Sequence, residues 1–487
     1  MKVLVLNPPG ENTLVTYPDE EGKGYIEVDV FGSFPPLGAL YVLTYLQENS
    51  TGHQLYFIDC VAEKITQEKL PSIITKIKPD IVGITSFTIS LIDVVQVART
   101  VRSIVPHAHI CMGGHHPIAF PFEAAQLPEF DSIVVGEGEV AFTQLVHALE
   151  THADITTIQG VYTRESIQAW KNRPFHDKRF LGALGVMPGY VENLDALPFP
   201  DRRHIRHINY HSVLGISNRL ATIITSRGCP YRCAFCDVPY KRYRRRSAAN
   251  VVDEVEACLA LGYDEFHFYD DLFNVSPRKL IEFCDEVERR KLELNWDFRG
   301  RVNTVTYESL RRAKQAGCRM ISFGVETGTD EGLAALQKGT TIAQILQVFQ
   351  WCRELGIRTV ADFMIGLPFE RSEADMLRNL AFTHKLDPDY CQMTILILLP
   401  TTPLFDLAEK KGLVSKEKWI KWVLDPKPGF SVDHWEEFVP AIRQAQLRRQ
   451  AYQRFYMRPR YILRSVFGVR TWHEFRIKLN GFLQLLR

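Results

Sequence analysis

Short apolar runs alternate with helical patterns along most of this 487-residue chain, and this alternation limits the fold to the α/β class. In the first 150 residues the runs lack a polar face, which indicates strands buried on both sides in a parallel, doubly wound sheet. The predicted strands are Val3–Asn7, Gln54–Asp59, Ile81–Thr85, His109–Met112 and Ser132–Val135, and the predicted helices are Gly38–Gln47, Asp93–Ile104 and Ala141–Glu150.

Distinctive segments follow four of these predicted strands. The carboxyl ends of parallel strands form the ligand-binding edge of such a sheet, and glycine there lets a backbone approach a ligand closely. One such loop is ordinary turn chemistry, whereas four together predict a ligand. The segments are Asn7-Pro8-Pro9, Ser86-Phe87-Thr88, Gly113-Gly114-His115-His116-Pro117 and Gly136-Glu137-Gly138-Glu139.

A second series of strands and helices follows a connector rich in Pro, Asp and Arg. Six predicted strands with helices between them indicate an incomplete parallel barrel, a partial (βα)6 unit with its site at the carboxyl ends of the strands. The domain boundaries expected are 1–150, a connector 151–215, the barrel 216–425, and a mainly helical, basic segment 426–487. The predicted barrel strands are Ala221–Ser226, Phe266–Tyr269, Asn295–Phe298, Met320–Val325, Thr359–Ile365 and Cys391–Leu398.

Composition argues against several classes of protein. Lys and Arg number 58 against 57 Asp and Glu, so the net charge of +1 gives no indication of a nucleic-acid partner. No apolar stretch reaches the about 20 residues that span a bilayer, and the opening Met1–Leu6 indicates a buried strand, not a secretory signal. Ten cysteines favour metal binding over a disulfide scaffold. We therefore expect a cytoplasmic protein that is at most peripheral to a membrane.

Three cysteines directly follow the first predicted barrel strand. Cys229, Cys233 and Cys236 have CxxxCxxC spacing, and three thiolates on one loop can hold three irons of a four-iron cubane. The fourth iron then lacks a protein ligand and can bind a substrate or a cofactor. Zinc is the main alternative, but a structural zinc site usually takes four ligands, commonly from two separated pairs. The other cysteines are scattered, so the sequence predicts one catalytic 4Fe-4S cluster.

On these residues the chain resembles the radical S-adenosylmethionine (SAM) superfamily over roughly residues 216–415. In that family an aromatic residue, here Phe235, precedes the third cysteine. The resemblance implies that the open iron chelates SAM, which is cleaved to a 5′-deoxyadenosyl radical after electron transfer from an external donor of flavodoxin or ferredoxin type. It further implies SAM contacts at the strand ends, which fall here on Asp270, Asp271, Arg301, Gly324, Glu326 and Gly328.

The first domain resembles the cobalamin-binding domain of cobalamin-dependent radical SAM enzymes over about residues 1–145. The Asn-Pro-Pro start, the segment Pro35-Pro36-Leu37-Gly38 and the Gly-Gly-His and Gly-Glu-Gly-Glu loops carry this resemblance. The Asp-x-His-x-x-Gly motif that supplies a lower axial imidazole elsewhere is absent, so we expect cobalamin without a protein imidazole on cobalt. The cobalamin contacts that the resemblance implies are Asn7, Pro8, Ser86, Gly113, Gly114, His115, Gly136 and Glu137.

Two basic segments leave alternatives open. Lys241–Arg246, after the cysteines, is either a solvated face or a recognition site for an anionic substrate group. Residues 441–487 carry eleven Arg or Lys against one acid, Glu474. They predict contact with an anionic lipid surface or an acidic substrate group, or else pairing with acids on the barrel. The pattern Phe475–Leu486 suits a membrane-surface helix or a helix packed on the barrel.

The resemblance favours an enzyme that methylates an unactivated carbon of a small hydrophobic substrate, lipid-like or tetrapyrrole. In that scheme the radical removes a substrate hydrogen, methylcobalamin donates the methyl group, and a second SAM remethylates cobalt. A rival is an oxidative cyclase, similar to the porphyrin ester cyclases, or a rearrangement enzyme. A third reading is a cobalamin or iron–sulfur sensor without turnover, which the intact SAM-binding strand ends argue against.

Overall fold

The computed structural model describes residues 1–14, 32–170, 190–459 and 461–463. A six-stranded sheet in the order β3-β1-β4-β5-β6-β7 forms the first domain, and its first five strands are parallel. The predicted parallel sheet is therefore confirmed, and β7 adds an antiparallel edge. The strands are β1 Lys2–Asn7, β2 Gly32–Ser33 (outside this sheet), β3 Gln54–Asp59, β4 Ile81–Ser86, β5 His109–Gly114, β6 Ser132–Val134 and β7 Val161–Tyr162.

Both faces of this sheet are buried, as its apolar strands require. Along β1, Val3 and Val5 enter one core, while Leu4 and Leu6 enter another on the opposite face. Helices α1 and α6 pack together over the first core, and α2 and α3 over the second. The helices are α1 Leu37–Asn49, α2 Leu70–Ile77, α3 Leu91–Ile104, α4 His115–Ala119, α5 Pro121–Gln126 and α6 Gly138–Thr151.

The second sheet is an open parallel barrel in the order β16-β15-β14-β13-β12-β9. Alternate residues of its strands form an aromatic outer core against the helices, with Phe266, Phe268, Trp296 and Phe298 at its centre. The residues between them face the concave side. The strands are β9 Leu220–Ile223, β12 Glu265–Phe268, β13 Trp296–Gly300, β14 Cys318–Glu326, β15 Arg358–Ile365 and β16 Tyr390–Ile395, with the short pairs β2–β8 (His211–Ser212) and β10–β11 (Ser226–Arg227, Arg244–Arg245) apart from them.

Side-chain caps explain where the barrel helices begin. Thr306 and Thr341 each form a capping box with the third helical residue, and Ser247 and Ser372 accept from a backbone N–H in the first turn. The helices are α7 Ala248–Ala260, α8 Pro277–Arg289, α9 Tyr307–Gln315, α10 Asp330–Ala335, α11 Ile342–Leu355, α12 Glu373–Leu386, α13 Pro403–Lys410, α14 Lys416–Leu424 and α15 Ala441–Tyr456.

The C-terminal helix α15 covers the exposed edge of the barrel. The hydroxyl groups of Tyr452 and Tyr456 accept hydrogen bonds from the backbone N–H groups of Met393 and Cys391 on the edge strand β16, at 2.7 and 3.0 Å. Two cations of this basic segment pair with acids of the barrel domain, Arg443 with Glu373 and Arg458 with Asp387. Glu474 and the predicted helix Phe475–Leu486 lie outside the described residues.

The first predicted barrel strand, Ala221–Ser226, is shorter than expected. Strand β9 ends at Ile223 because the backbone N–H groups of Thr225 and Ser226 donate to the carboxylate of Asp270 instead of continuing the sheet. Ser226–Arg227 then pairs antiparallel with Arg244–Arg245. The cysteine segment is therefore the loop of a hairpin whose base is held by the second barrel strand.

One of the hydrophobic cores extends across both domains. Apolar residues under the first sheet continue into Leu336, Leu398, Phe405 and Trp419 of the barrel domain. Helix α5 packs on α14, and β2 pairs with β8 of the connector. Within the described ranges, no helix is long and apolar enough to cross a membrane.

Candidate active site

The predicted cluster loop, residues 228–240, is held by backbone hydrogen bonds at its ends and centre. The N–H of Cys229 donates to the carbonyl of Tyr240 at 2.9 Å. At the centre, Ala234 donates to Leu336 O at 2.9 Å and accepts from Leu404 N at 3.0 Å. Leu336 follows the fourth barrel strand and Leu404 follows the sixth. The centre of the loop is therefore hydrogen-bonded to segments that come much later in the chain.

The three cysteines of this loop are free thiols that differ in exposure. Cys233 is buried, while Cys229 and Cys236 are half-buried. Burial raises the pKa of the Cys229 and Cys236 thiols, and the nearby Lys241 ammonium opposes that rise. Across the described ranges, no group of three or more His, Cys, Asp or Glu side chains converges on a point that could hold a single metal ion. Free thiols on one braced loop fit a cluster that takes three cysteine ligands.

Arg301 lies beside the buried cysteine. Its Nη1 lies 3.4 Å from Cys233 Sγ, and its guanidinium stacks 3.7 Å from the ring centre of Tyr231. Its Nη2 donates to the carbonyl of Lys338. Arg301 thus contacts two residues of the cluster loop, Tyr231 and Cys233, and its positive charge would stabilise cysteine thiolates there. Its predicted contact with SAM stays a prediction.

The end of β14 carries a buried ion pair. Glu326 has a left-handed backbone (φ 67°), and its carboxylate pairs with Lys338 Nζ. The ammonium also lies 5.7 Å from the ring centre of Phe235 in the cluster loop. A Cβ at Gly324 would meet Glu326 Oε1 at 2.3 Å and Lys338 Nζ at 2.6 Å, so a side chain there would displace this ion pair. Lys338 was not predicted, since only the fold places it beside Glu326.

Gly328 has a packing role in the structure. A Cβ at this position would lie 2.5 Å from Phe382 Cβ, and its N–H donates to Asn379 Oδ1 at 2.7 Å. The segment after β14 therefore approaches α12 closely. Its predicted part in SAM binding stays a prediction.

Two aspartates, Asp270 and Asp271, follow β12, and the first of them has a structural role. Asp270 is buried and accepts four hydrogen bonds from Thr225 and Ser226. Burial raises its pKa to about 6, and these hydrogen bonds oppose that rise. Its carboxylate thus ends β9 and is taken up by these four hydrogen bonds. Asp271 is exposed, and the predicted SAM contacts of both aspartates stay predictions.

Close backbone packing shapes the ligand edge of the first sheet. Ser86 Oγ donates to Gly113 O at 2.7 Å, and a Cβ at Gly114 (φ 93°) would meet Ser86 O at 2.7 Å. Gly113 has open space where a side chain would lie, and the ring of Phe87, which follows the neighbouring strand β4, is 58% exposed. At the neighbouring strand end, Asn7 Nδ2 donates to Asp59 Oδ1 at 2.8 Å and Pro8 is buried. The edge around Gly113 can therefore accept a large flat ligand such as cobalamin.

The two adjacent histidines have separate surroundings. His115 stacks on Phe87 with a ring separation of 6.0 Å, and its Nε2 lies 3.4 Å from Asp237 Oδ2. His116 is fully buried, and its Nδ1 is 3.0 Å from Thr88 Oγ1. Burial lowers the pKa of His116 to about 3, so it is neutral. His115 therefore lies at the ligand edge, whereas His116 is enclosed by the first domain.

Two glutamates of the loop after β6, Glu137 and Glu139, form ion pairs with arginines of the barrel domain. Gly136 adopts φ 112°, and the next residue, Glu137, pairs with Arg244 and lies 3.4 Å from Arg227. Glu139 also pairs with Arg227. All of these charged side chains are buried or nearly so, and we call Glu137, Glu139, Arg227 and Arg244 the interdomain clamp. The carboxylate of Glu137 is thus occupied by arginine, and its predicted cobalamin contact stays a prediction.

Two arginines of the basic segment Lys241–Arg246 are buried. Arg244 belongs to the clamp, Arg246 pairs with the buried Glu254, and Arg245 pairs with Glu282. Neither expectation for this segment holds for Arg244 and Arg246, because both are buried in ion pairs. Spacing could not reveal this, since Glu137 is 107 residues from Arg244.

Two family models match separate parts of the chain, a B12-binding domain over residues 26–146 and the radical SAM superfamily over residues 223–381. An uncharacterised methyltransferase of Pyrococcus horikoshii is 29% identical over 493 residues, covering 100% of this chain and 98% of that protein. An anaerobic magnesium-protoporphyrin IX monomethyl ester cyclase of Cereibacter sphaeroides is 30% identical over 416 residues, covering 82% of this chain and 65% of the cyclase.

Among solved structures, the radical SAM methyltransferase TsrM from Kitasatospora setae, with cobalamin and a 4Fe-4S cluster bound, has the same fold. The TM-score is 0.66 at 20% identity, and the match covers 85% of this chain and 78% of that one. Both matched domains occur in the predicted order, and the residues at the two sites fit the cofactors. The enzyme uses a 4Fe-4S cluster, SAM and cobalamin, and the chain belongs to the cobalamin-dependent radical SAM family.

Proposed function

We propose that this enzyme methylates an unactivated carbon of a hydrophobic small molecule, lipid-like or tetrapyrrole in kind. The observation that carries the proposal is the meeting of the two cofactor sites. His115 at the end of β5 lies 3.4 Å from Asp237, the residue after Cys236. A methyl donor on the first sheet would therefore face a radical source at the cluster loop. The match to a methyltransferase over nearly the whole of both chains supports the same reading.

The bound cofactors supply the removal of a substrate hydrogen and the methyl group that replaces it, and the chain's own residues hold and orient them. Cys229, Cys233 and Cys236 would ligate three irons and leave the fourth for SAM. The open space at Gly113 and the exposed ring of Phe87 would seat cobalamin. An external donor of flavodoxin or ferredoxin type would reduce the cluster.

The ion pair at the end of β14 would orient SAM. Lys338 holds the Glu326 carboxylate at a fixed place beside Phe235, and Gly324 keeps the backbone there free of a side chain. A carboxylate fixed in this way can accept hydrogen bonds from ribose hydroxyl or amino groups.

A second candidate is an oxidative cyclase that acts on a tetrapyrrole. The observation in its favour is the 30% identity to the magnesium-protoporphyrin ester cyclase over 82% of this chain. The two candidates differ in the fate of the SAM methyl group, because a cyclase closes a ring without incorporating it.

Methyl-deuterated SAM tests the proposal. The reconstituted enzyme is incubated anaerobically with a reductant and an extract of cells that lack the gene, and products are analysed by mass spectrometry. The methyltransferase proposal predicts a product with a deuterated methyl group on carbon, together with 5′-deoxyadenosine. A product that has lost hydrogen without gaining label would support the cyclase instead. The variant with all three cluster cysteines replaced by alanine is the control and should form neither product.

A further inference from the structure

The concave side of the barrel is lined with charged residues, and those near its floor are all paired. Arg319 pairs with Glu265 and Asp297, and Asp297 also pairs with His267. Glu265 accepts hydrogen bonds from the N–H groups of Ile216 and Ser217, at 2.9 Å each. Each charged side chain of this network is therefore already in an ion pair.

Arg299 lies on the same concave side but is not part of this network. It follows Phe298 on the interior strand β13, and strand alternation turns it away from the helices. Its side chain makes no hydrogen bond or ion pair with any residue that the structure describes, and it is exposed although its strand is flanked on both sides. An exposed side chain on the inner face of a central strand shows that this part of the barrel is open.

The surroundings of Arg299 are aromatic on one side and polar on the other. Its guanidinium lies 5.9 Å from the ring centre of Tyr269, which is 48% exposed and stacks on Phe34 at 5.7 Å. In the sheet register Arg299 is opposite Ser322, whose Oγ donates to Asp362 Oδ2 at 2.9 Å. The charge of Arg299 also opposes the rise in pKa that burial imposes on Asp362. Arg299 and Asp362 are therefore both neighbours of Ser322.

Asp362 provides a second, independent sign of a ligand. Its Oδ1 is buried and has no hydrogen-bond partner within the described ranges. A buried acceptor without a partner is costly, so this atom is placed to accept a hydrogen bond from a molecule in the open part of the barrel.

We infer that Arg299 binds an anionic group of the substrate, a carboxylate or a phosphate, inside the barrel, and that Asp362 accepts a hydrogen bond from the same molecule. This inference rests on the proposed function, because it assumes that the substrate enters the barrel. Arg301 and Lys338 cannot take this role, since each is already held in a contact described above. A guanidinium offers two parallel N–H groups to a carboxylate or phosphate, and the rings of Tyr269 and Phe34 would pack against the apolar part of the substrate.

Three probes with the same alkyl chain test the inference: octanoate, octyl phosphate and octanol. Their affinity for the anaerobic holoenzyme with SAM is measured by calorimetry. We expect at least one anionic probe to bind roughly tenfold or more tightly than octanol, and comparison of the two anions identifies the preferred group. Arg299→Gln should abolish this preference, and Arg299→Lys should retain part of it. Arg289→Gln, an exposed arginine at the end of α8, is the matched control and should behave as the wild type.

Three results would overturn the inference. The first is a wild-type enzyme that binds both anions no more tightly than octanol, and the second is an Arg299→Gln variant that keeps the preference with normal iron content. The third is a loss of SAM affinity in Arg299→Gln as large as the loss of affinity for the anionic probes, which would assign this arginine to the carboxylate of SAM. Methyl transfer is measured separately. Arg299-dependent binding of anions without transfer of a deuterated methyl would refute the proposed function and leave this site standing.

Discussion

Neutralising Glu137 should loosen the contact between the two domains. Its carboxylate, 5% exposed, serves both Arg244, also 5% exposed, and Arg227. In Glu137→Gln, Arg227 keeps Glu139 as its partner, so the uncompensated charge is that of Arg244. Arg244 retains only a hydrogen bond to Val191 O at 2.8 Å and the ring of Tyr190 at 4.5 Å. Breaking a buried pair in this way lowers the free energy of unfolding by about 3–5 kcal/mol. Because Arg244 keeps these two contacts, we expect a loss of about 3 kcal/mol.

The measurement is the free energy of the first unfolding transition in urea, because a chain of two domains can unfold in steps. The matched control is Glu192→Gln, which breaks the exposed pair of Glu192 (59%) and Arg242 (62%) and should cost at most about 1 kcal/mol. The double variant Glu137→Gln/Arg244→Met should recover most of the loss, because no buried charge is then left alone.

The pH dependence gives a second test of the clamp. Although burial opposes its ionisation, the hydrogen bond from Arg244 and the charge of Arg227 lower the pKa of Glu137 below its ordinary value of 4.5. The clamp's contribution is therefore present above pH 4.5 and is lost as the pH falls through the lowered pKa. The difference between wild type and Glu137→Gln should shrink in that acid range. Equal stability of Glu137→Gln and Glu192→Gln at neutral pH would refute the reasoning.

Four further predictions follow from the two cofactor sites and one buried acid. Replacing all three cluster cysteines by alanine should abolish the iron–sulfur absorbance after anaerobic reconstitution, and a full cluster in that variant would refute the assignment. Glu326→Ala should weaken SAM binding about tenfold or more without loss of iron, as measured by equilibrium dialysis; an unchanged dissociation constant would remove Glu326 from the site. Bound Co(II) cobalamin should show no nitrogen splitting from a protein imidazole in electron paramagnetic resonance, and a splitting lost in His115→Ala would contradict this. Burial raises the pKa of Glu370 to about 7, so the folded state holds a proton that the unfolded state releases, and stability should fall as the pH rises from 4.5 to 7; Glu370→Gln should flatten that slope in urea titrations, and an unchanged slope would refute it.

Local patterns predicted most of the regular structure. The strand Gln54–Asp59 has the predicted bounds, and the helix predicted over Asp93–Ile104 begins two residues earlier, at Leu91, since apolar periodicity marks both in the sequence. Helix α2, Leu70–Ile77, was missed because eight residues that begin with Leu-Pro give little periodicity. The hairpin around the cluster loop was missed because it depends on Asp270, which is 44 residues from Ser226.

The same distinction between local signals and contacts of distant residues applies to the candidate site. The cysteine spacing and the glycines of the first sheet are local signals, and they lead directly to the two cofactors. The partners of Glu326 and Glu137 are contributed by other parts of the chain, so no short motif contains them. Asp270 shows the same limit, because its hydrogen bonds to Thr225 and Ser226 join residues too far apart in the chain to be predicted from a local motif.

The backbone bonds at Ala234 bear on the order in which the protein matures. During synthesis the three cysteines leave the ribosome well before Leu336 and Leu404, whose backbones hold the centre of their loop. Until about 170 later residues are made, the thiols lie on a segment without its final frame. Iron and sulfide delivered before that point would meet an unconstrained, oxidisable thiol group. The fold therefore favours insertion of the cluster into a nearly complete chain over assembly on the nascent one.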